Sequence, residues 1–244
     1  MLSCATFDLD DTLWEVDPVI RRANDTLWQW LDRHGGRFTA LHTPADLVEG
    51  SKLRAALLEE YPEIAHSMSL IRLRLIERGL STAGFDEQES ERLAAEAFEV
   101  FMRARHEVEF FEHAFEMLKA LRERGLTIGA LSNGNADVGL TGIGGLFDFQ
   151  FNADSVGSAK PDPLMFQRAL EHTGLRPEQV VHIGDHPIND VKAARDLGCW
   201  TIWVNLEGQS WPEPARADER VTCLSQIPEA VERIAKKAMT RATL

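Results

Sequence analysis

The sequence predicts an α/β domain built on a parallel sheet and interrupted after its first strand by a block of helices. Three observations lead there. Short, continuously apolar runs recur at 5–7, 126–131, 180–183 and 201–204, as expected of strands buried on both faces. From residue 114 onward these runs alternate with helical periods, the pattern of crossover-linked parallel strands. Between residues 17 and 106 the period is helical throughout.

In chain order, the first strand runs out into Asp8-Leu9-Asp10-Asp11-Thr12. Asp17 reads as an N-cap with Pro18 at the first helical position, and that helix continues to about His34, where Gly35-Gly36 stops it. Pro44 to Glu59 reads as a second helix, Glu63 to Arg78 as a third with Gly79 at its end, and Asp86 to His106 as a fourth. Trp28 and Trp30 fall among the apolar positions of this block. A helix at 114–124 capped by Gly125 then leads to a strand at 126–131 ending in Ser132-Asn133-Gly134. Further strands read at 147–152, 180–183 and 201–204, with helices at 163–173 and 190–197 between them. The last stretch holds a strand at 221–223 and a helix from Pro228. The expected division is therefore a core from 1–15 and 107–244 and a helical domain from 16–106. The glycine-rich Gly142-Ile143-Gly144-Gly145 follows no strand directly and lacks Gly-Lys-Ser/Thr, so it reads as a loop.

The chain has 244 residues, a size for one large domain or a domain with a sizeable insertion. Its formal net charge of −13 argues against sequence-independent nucleic-acid binding, which needs a basic surface. An anionic substrate would need positive charge supplied locally. Cys4, Cys199 and Cys223 are odd in number and far apart, which fits free thiols in a reducing compartment. No apolar run reaches transmembrane length and no signal peptide is legible, so a cytoplasmic protein with no membrane or nucleic-acid partner is expected.

In open parallel sheets ligands bind beyond the C-terminal strand ends. There the sequence places Asp8 and Asp10, then Ser132 and Asn133, then Lys160, then Asp185 with Asn189 and Asp190. Like charges so close raise one another's pKa unless a cation sits among them. The carboxylates form a hard-oxygen site suited to Mg²⁺. A hydroxyl, an amide and an ammonium suit a phosphoryl group. One aspartate can attack phosphorus and a second carboxyl can move the proton of the leaving oxygen.

Taken together, Asp8-Leu9-Asp10-Asp11-Thr12, Leu131-Ser132-Asn133, Lys160-Pro161 and Gly184-Asp185 with Asp190 resemble, in order, the four signature motifs of the haloacid dehalogenase-like hydrolase superfamily. The resemblance covers the whole α/β part, and the helical insertion is similar to the superfamily's C1 cap. It implies a Rossmann-like doubly wound parallel sheet with the first strand central and an inserted α-helical cap. It further implies Asp8 as nucleophile, Asp10 as general acid/base, and Mg²⁺ held by Asp8, the Asp10 carbonyl and Asp185. Ser132, Asn133 and Lys160 would bind the phosphoryl group. Asp190 would orient Lys160 or reach the metal through water, and Asn189 would stand behind them. Within the superfamily, true dehalogenases carry tyrosine and phosphonatase-like members alanine where this chain has Asp10. An acid there is what phosphate-ester hydrolysis or phosphomutation requires, and a non-catalytic binder on the same fold would not need the set. A Mg²⁺-dependent phosphatase acting on a small phosphorylated metabolite is the resulting expectation.

For the substrate, Tyr61 to Leu80 and Ser132 to Ala136 are similar to flavin-pathway phosphatases, which act on FMN and a ribityl-pyrimidine phosphate. Arg54, His66, Arg72 and Arg74 are cap cations that either face the site or form a solvated helix face, with Arg72 the best placed. Trp14 either stacks on a flat substrate or packs internally. His186 either contacts substrate or belongs to a surface turn beside Pro187.

Overall fold

The computed structural model describes residues 2–211 and 216–242. The chain divides into two compact units, Met1–Glu15 with Glu109–Leu244, and Val16–Val108. The return to the first unit thus falls at Glu109, just after the sequence division at 107.

The first unit is built on six parallel strands: β1 (Cys4–Phe7), β2 (Thr127–Ser132), β3 (Phe149–Asn152), β4 (Val180–Gly184), β5 (Trp200–Val204) and β6 (Glu219–Val221). Their order is β3-β2-β1-β4-β5-β6. The chain therefore builds outward from β1 on one side, then returns to pair β4 against β1 and builds outward on the other. That reversal at β1 is the topological switch point, where the crevice of a doubly wound sheet opens. Every residue of β1, β4 and β5 is buried, which explains why these runs are mostly apolar, with Thr6, His182 and Thr201 as the polar exceptions. The last strand pairs at 219–221, two residues earlier than its apolar run suggests, because Val204 is opposite Val221.

Five helices make the second unit: α1 (Val16–His34), α2 (Gly36–Leu41), α3 (Lys52–Glu60), α4 (Met68–Thr82) and α5 (Glu87–Arg105). Val19, Ala23, Leu27 and Leu31, four residues apart along α1, form one buried stripe. They meet Phe38, Leu57, Ile71, Leu75, Leu80, Leu93 and Phe101 in a single core, with Trp28 and Trp30 packed against it. Three boundaries differ from the sequence reading. Helix α1 begins at Val16, so Asp17 lies in its first turn and pairs with Arg21 at 2.7 Å instead of capping it. The span 44–59 is broken: a 3₁₀ turn at Pro44–Leu47 is followed by Gly50 at φ 80°, and Ser51 then caps α3 by accepting from Arg54 N at 3.1 Å. Helix α4 starts late, capped by Ser67, and runs through Gly79 to Thr82. Gly79 is there for packing: a Cβ would lie 2.3 Å from the buried Phe38 ring. Phe38 is itself delivered by α2, a helix the Gly35-Gly36 pair had obscured.

The remaining helices of the first unit are α6 (Ala114–Glu123), α7 (Ala153–Val156), α8 (Leu164–Thr173), α9 (Ala193–Asp196) and α10 (Ile227–Ala242). Met165, Phe166 and Ala169 of α8 join Ala153, Ala193 and Ala194 over Cys4, Leu131 and Val180. Helices α6 and α10 pack on β2 and β5 and on each other. In place of a regular helix from Asp190, the chain takes a wide π-type segment at Pro187–Lys192, which carries Asp190 inward before α9 begins.

Gly79→Ala tests the packing account. Helix propensity alone would favour alanine by about 1 kcal/mol. Overpacking against a ring with no room to yield costs about 1–3 kcal/mol. We expect a lower thermal midpoint for the variant, and an unchanged or higher midpoint would contradict the packing role.

Candidate active site

The site is assembled at the ends of β1, β2 and β4. Backbone pairing continues one residue past β1, where Asp8 N donates to Ile183 O at 2.9 Å, so the Asp8 side chain is fixed by the sheet itself. The chain then turns sharply. Asp11 takes φ 58°, Leu13 N donates back to Leu9 O at 2.8 Å and Asp11 N to Trp14 O at 2.8 Å. That turn sets Asp10 beside Asp8. Together with Ser132, Asn133, Lys160, Asp185, His186, Asn189 and Asp190 they line a cavity of about 170 Å³.

At its floor is the Lys160 ammonium, buried, donating to Asp190 Oδ1 at 2.6 Å, Leu131 O at 2.6 Å and Asp8 Oδ1 at 2.9 Å. Burial opposes its charge, but Asp190 and then Asp8 more than offset this, and the group stays an ammonium. Burial also works against the Asp190 carboxylate, yet Lys160 holds it below the usual carboxylate range. Both Asp190 oxygens are occupied: Oδ1 meets Lys160 and His182 Nε2 (3.3 Å), and Oδ2 accepts from His186 N at 2.9 Å. Asp190 is therefore the anchor of Lys160. Gly184 makes room for it, since a Cβ there would fall 2.4 Å from the Asp190 carboxyl.

Asp8 and Asp185 are in the opposite position. Burial, with Asp190 and Asp185 adding to it against Lys160, raises Asp8 well above the carboxylate range. Burial and then Asp190 push Asp185 up to about 7. Carboxylate oxygens of Asp8, Asp185 and Asp190 lie within 4.8 Å of one another. Three carboxylates therefore face one ammonium, and the two that are strained by it are the two the sequence assigns to a metal. A hard divalent cation fits this all-oxygen set.

Several predicted residues have different work from that expected. Asn133 accepts from Lys160 N at 2.7 Å and donates to Lys160 O at 2.8 Å, so its side-chain amide clamps the lysine backbone. Ser132, buried in the cavity wall, accepts from Gly134 N at 3.0 Å. Trp14 cannot stack on a substrate. Its ring is fully buried, edge-on to Phe110 at 5.6 Å, and its Nε1 donates to Asp10 Oδ1 at 2.8 Å. His186 is exposed at the cavity edge and uses Nδ1 to accept from Ile188 N and Asn189 N, capping the turn. Arg72 is engaged within the helical unit: it donates to Asn24 Oδ1 at 2.7 Å and lies 3.7 Å over the Phe101 ring, and burial lowers it to about 10. Arg74 pairs with Glu77 at 2.8 Å.

Four residues escaped sequence reasoning. The Thr12 hydroxyl donates to Asp185 Oδ1 at 3.0 Å and accepts from Asp185 N at 3.1 Å, joining the β1 turn to the end of β4. Trp203 Nε1 donates to Asp185 O at 2.7 Å. Thr6 and His182 are opposite each other in β1 and β4, and their side chains meet at 2.9 Å behind Asp190. Two polar residues in otherwise apolar strands were the available signal for that pair.

The comparisons with known proteins agree with this geometry. The family of haloacid dehalogenase-like hydrolases matches residues 2–198 of the chain. The protein is a haloacid dehalogenase-like hydrolase. Relatives of this hydrolase include 5-amino-6-(5-phospho-D-ribitylamino)uracil phosphatase YigB of Escherichia coli, 30% identical across 86% of this chain and 88% of that one. Phosphoserine phosphatase of Thermus thermophilus is also 30% identical, across 90% and 95%. Among solved structures, a 2-haloacid dehalogenase from Pseudomonas syringae superposes with a TM-score of 0.90 at 36% identity, covering 96% of this hydrolase and 99% of that chain. No helix among the described residues is long and apolar enough to cross a membrane.

The charge imbalance has a measurable consequence. A carboxyl raised in the folded state favours folding below its unfolded pKa of about 4 and loses that contribution as pH rises through the folded value. For metal-free protein, Asp185 therefore makes stability fall between about pH 4 and about pH 7, and Asp8, raised as well, acts in the same direction. Asp190, shifted the other way, contributes constantly across that window and loses its share only as pH falls below about 4. We expect Mg²⁺ to raise the melting temperature more at pH 8 than at pH 5, where protons compete for the same oxygens. An equal shift at both pH values, or none, would show that this cluster does not take the cation.

Proposed function

We propose that this hydrolase is a phosphatase that cleaves a small-molecule phosphate monoester through an aspartyl-phosphate on Asp8. The observation that carries the proposal is the presence of two carboxyls with separate environments in one cavity. Asp8 is held on Oδ1 by Lys160, and Asp10 is held on Oδ1 by the Trp14 indole. One is tied to a cation at the floor and the other stands at the wall, a division that suits nucleophile and acid/base.

In the first step Asp8 Oδ2 forms a bond to phosphorus and the ester P–O bond breaks. Asp10 delivers its proton to the departing oxygen, so that an alcohol leaves. In the second step Asp10, now a carboxylate, takes a proton from water. The water oxygen bonds to phosphorus, and the Asp8 oxygen departs with its electron pair, releasing phosphate. Lys160 and the Ser132 hydroxyl face the negative phosphoryl oxygens throughout. Asp8, Asp185 and the Asp10 carbonyl would hold Mg²⁺, which supplies charge neutralisation at those oxygens when bound. The cavity, at about 170 Å³, is smaller than the ~300 Å³ at which pockets for whole small molecules begin, so it suits the reacting group and not the whole substrate.

For that substrate we favour a riboflavin-pathway phosphate, FMN or the ribitylamino-uracil phosphate. The similarity to YigB along most of both chains supports it. The similarity to the Pseudomonas 2-haloacid dehalogenase favours a second reading, in which Asp8 displaces halide from carbon. A halide leaves without a proton, however, and Asp10 would then have no task.

Phosphate release from p-nitrophenyl phosphate with Mg²⁺, set beside chloride release from 2-chloropropionate, decides between them. We expect the first and not the second, with Asp8→Asn slowing phosphate release by at least about a thousand-fold, the scale on which losing a nucleophile acts. Halide release without phosphate release would replace the proposal. FMN and the ribitylamino-uracil phosphate, screened against sugar phosphates and nucleotides, should show the highest kcat/KM, and equal slow rates on all would remove the flavin assignment.

A further inference from the structure

Trp14 is fully buried and its ring contacts Phe110 edge-on, so packing alone would be served by phenylalanine. Its one polar atom is nevertheless directed at a carboxyl of the active-site cavity, with Nε1 2.8 Å from Asp10 Oδ1. An indole N–H is a donor only and a single one, so this bond is all that it can make. The backbone around it is equally committed. Trp14 O accepts from Asp11 N at 2.8 Å, Trp14 bridges to Asp10 on one side and Phe110 on the other, and Leu13 O accepts from Phe111 N at 2.8 Å. The turn carrying Asp10 is thus closed on itself through Trp14 and fastened to the 110–111 segment.

We propose that Trp14 is a positioning residue for Asp10: its indole N–H fixes the rotamer of the general acid so that the carboxyl faces the leaving oxygen. The inference rests on the role of Asp10 put forward above. A proton donor must be within hydrogen-bond reach of its target, about 2.6–3.2 Å, and a carboxyl free to rotate is there only part of the time. The Trp14 bond restricts that freedom on Oδ1 while keeping the fixed partner out of the reaction, because an indole N–H neither gives up nor accepts a proton in the working pH range. The ring itself serves as the rigid mount, held by Phe110, whose own ring meets Phe115 at 4.9 Å.

The experiment compares two aryl phosphates of nearly equal size. p-Nitrophenolate leaves readily without a proton, whereas the phenolate of phenyl phosphate is a poorer leaving group and depends on the general acid. In Asp10→Asn the loss of kcat/KM, which reports ester cleavage and not the shared hydrolysis of the aspartyl-phosphate, should be much larger for phenyl phosphate than for p-nitrophenyl phosphate. In Trp14→Phe we expect the same sense with a smaller size, phenyl phosphate losing about ten-fold more than p-nitrophenyl phosphate, part of the 10²–10⁴ that acid catalysis supplies. Because the result is a ratio measured on one sample, a reduced folded fraction cancels. Equal losses on both substrates in Trp14→Phe, with Asp10→Asn discriminating, would overturn the positioning role and leave the phosphatase reading standing. Failure of Asp10→Asn to discriminate would instead overturn the general-acid role and this inference with it. A second measurement needs no Trp14 variant: in ¹⁵N-labelled protein the Trp14 indole N–H resonance should be protected from solvent exchange and should shift in Asp10→Asn. An indole signal indifferent to Asp10→Asn would also overturn the proposal.

Discussion

The structure of this hydrolase depends on one buried ammonium. Lys160 reaches a backbone carbonyl of β2, a carboxylate past β1 and a carboxylate past β4, joining three chain segments at a single atom. Taking a charge out of water costs several kcal/mol, and only a full set of charge-assisted partners offsets it. The surrounding residues are arranged to complete that set. Asn133 clamps the lysine backbone, Gly184 lets Asp190 approach, and His182, itself braced by Thr6, takes a place on Asp190. His182 is held in its neutral range by burial, so it braces Asp190 without adding a second cation to the floor.

That set leaves a residue of negative charge, and the residue is where function resides. Lys160 satisfies Asp190 and one oxygen of Asp8, while Asp185 is fastened by neutral donors, its carboxyl by Thr12 and its carbonyl by Trp203. A site fully neutralised by its own side chains would be more stable without a cation and would have nothing to offer one. Strain of this kind at a site, compensated by the sheet behind it, is how enzymes keep reactive groups poised. It also bears on how a chain of net charge −13 would accept the anionic substrate proposed for it. The positive charge is local: Lys160, to which a divalent cation on the carboxylates would add.

Asp8 and Asp10 are two residues apart, yet their surroundings separate their tasks. The sheet register fixes Asp8. The left-handed turn at Asp11 swings Asp10 to another wall, where an indole rather than an ammonium meets it. Asp8 Oδ1 accepts from the Lys160 ammonium and Asp10 Oδ1 accepts from a neutral indole N–H, so the two carboxyls meet donors of different charge. The same turn explains Asp11, whose place in the motif is conformational: it tolerates a φ that most side chains resist.

By itself the sequence determined the parallel sheet, the helical insertion and which carboxylates and lysine stand together at one cavity. Continuous apolar strands and carboxylates at strand ends are local patterns, and Asp8, Asp10, Lys160 and Asp185 could be placed from them because strand ends of such a sheet share one rim. Tertiary structure alone decided what each side chain does there. Asn133 clamps the Lys160 backbone, Trp14 takes the internal packing place and not the stacking one, and Arg72 is engaged by Asn24 and Phe101 within its own helical unit. Thr12 and His182 gained roles through partners 173 and 8 residues away. Gly79 read as a helix stop and is a seat for Phe38. The physical reason is common to all of these. A residue's type and spacing fix which bonds it is able to make, but a hydrogen bond or a close contact belongs to a pair, and the second member is known only once the chain has folded.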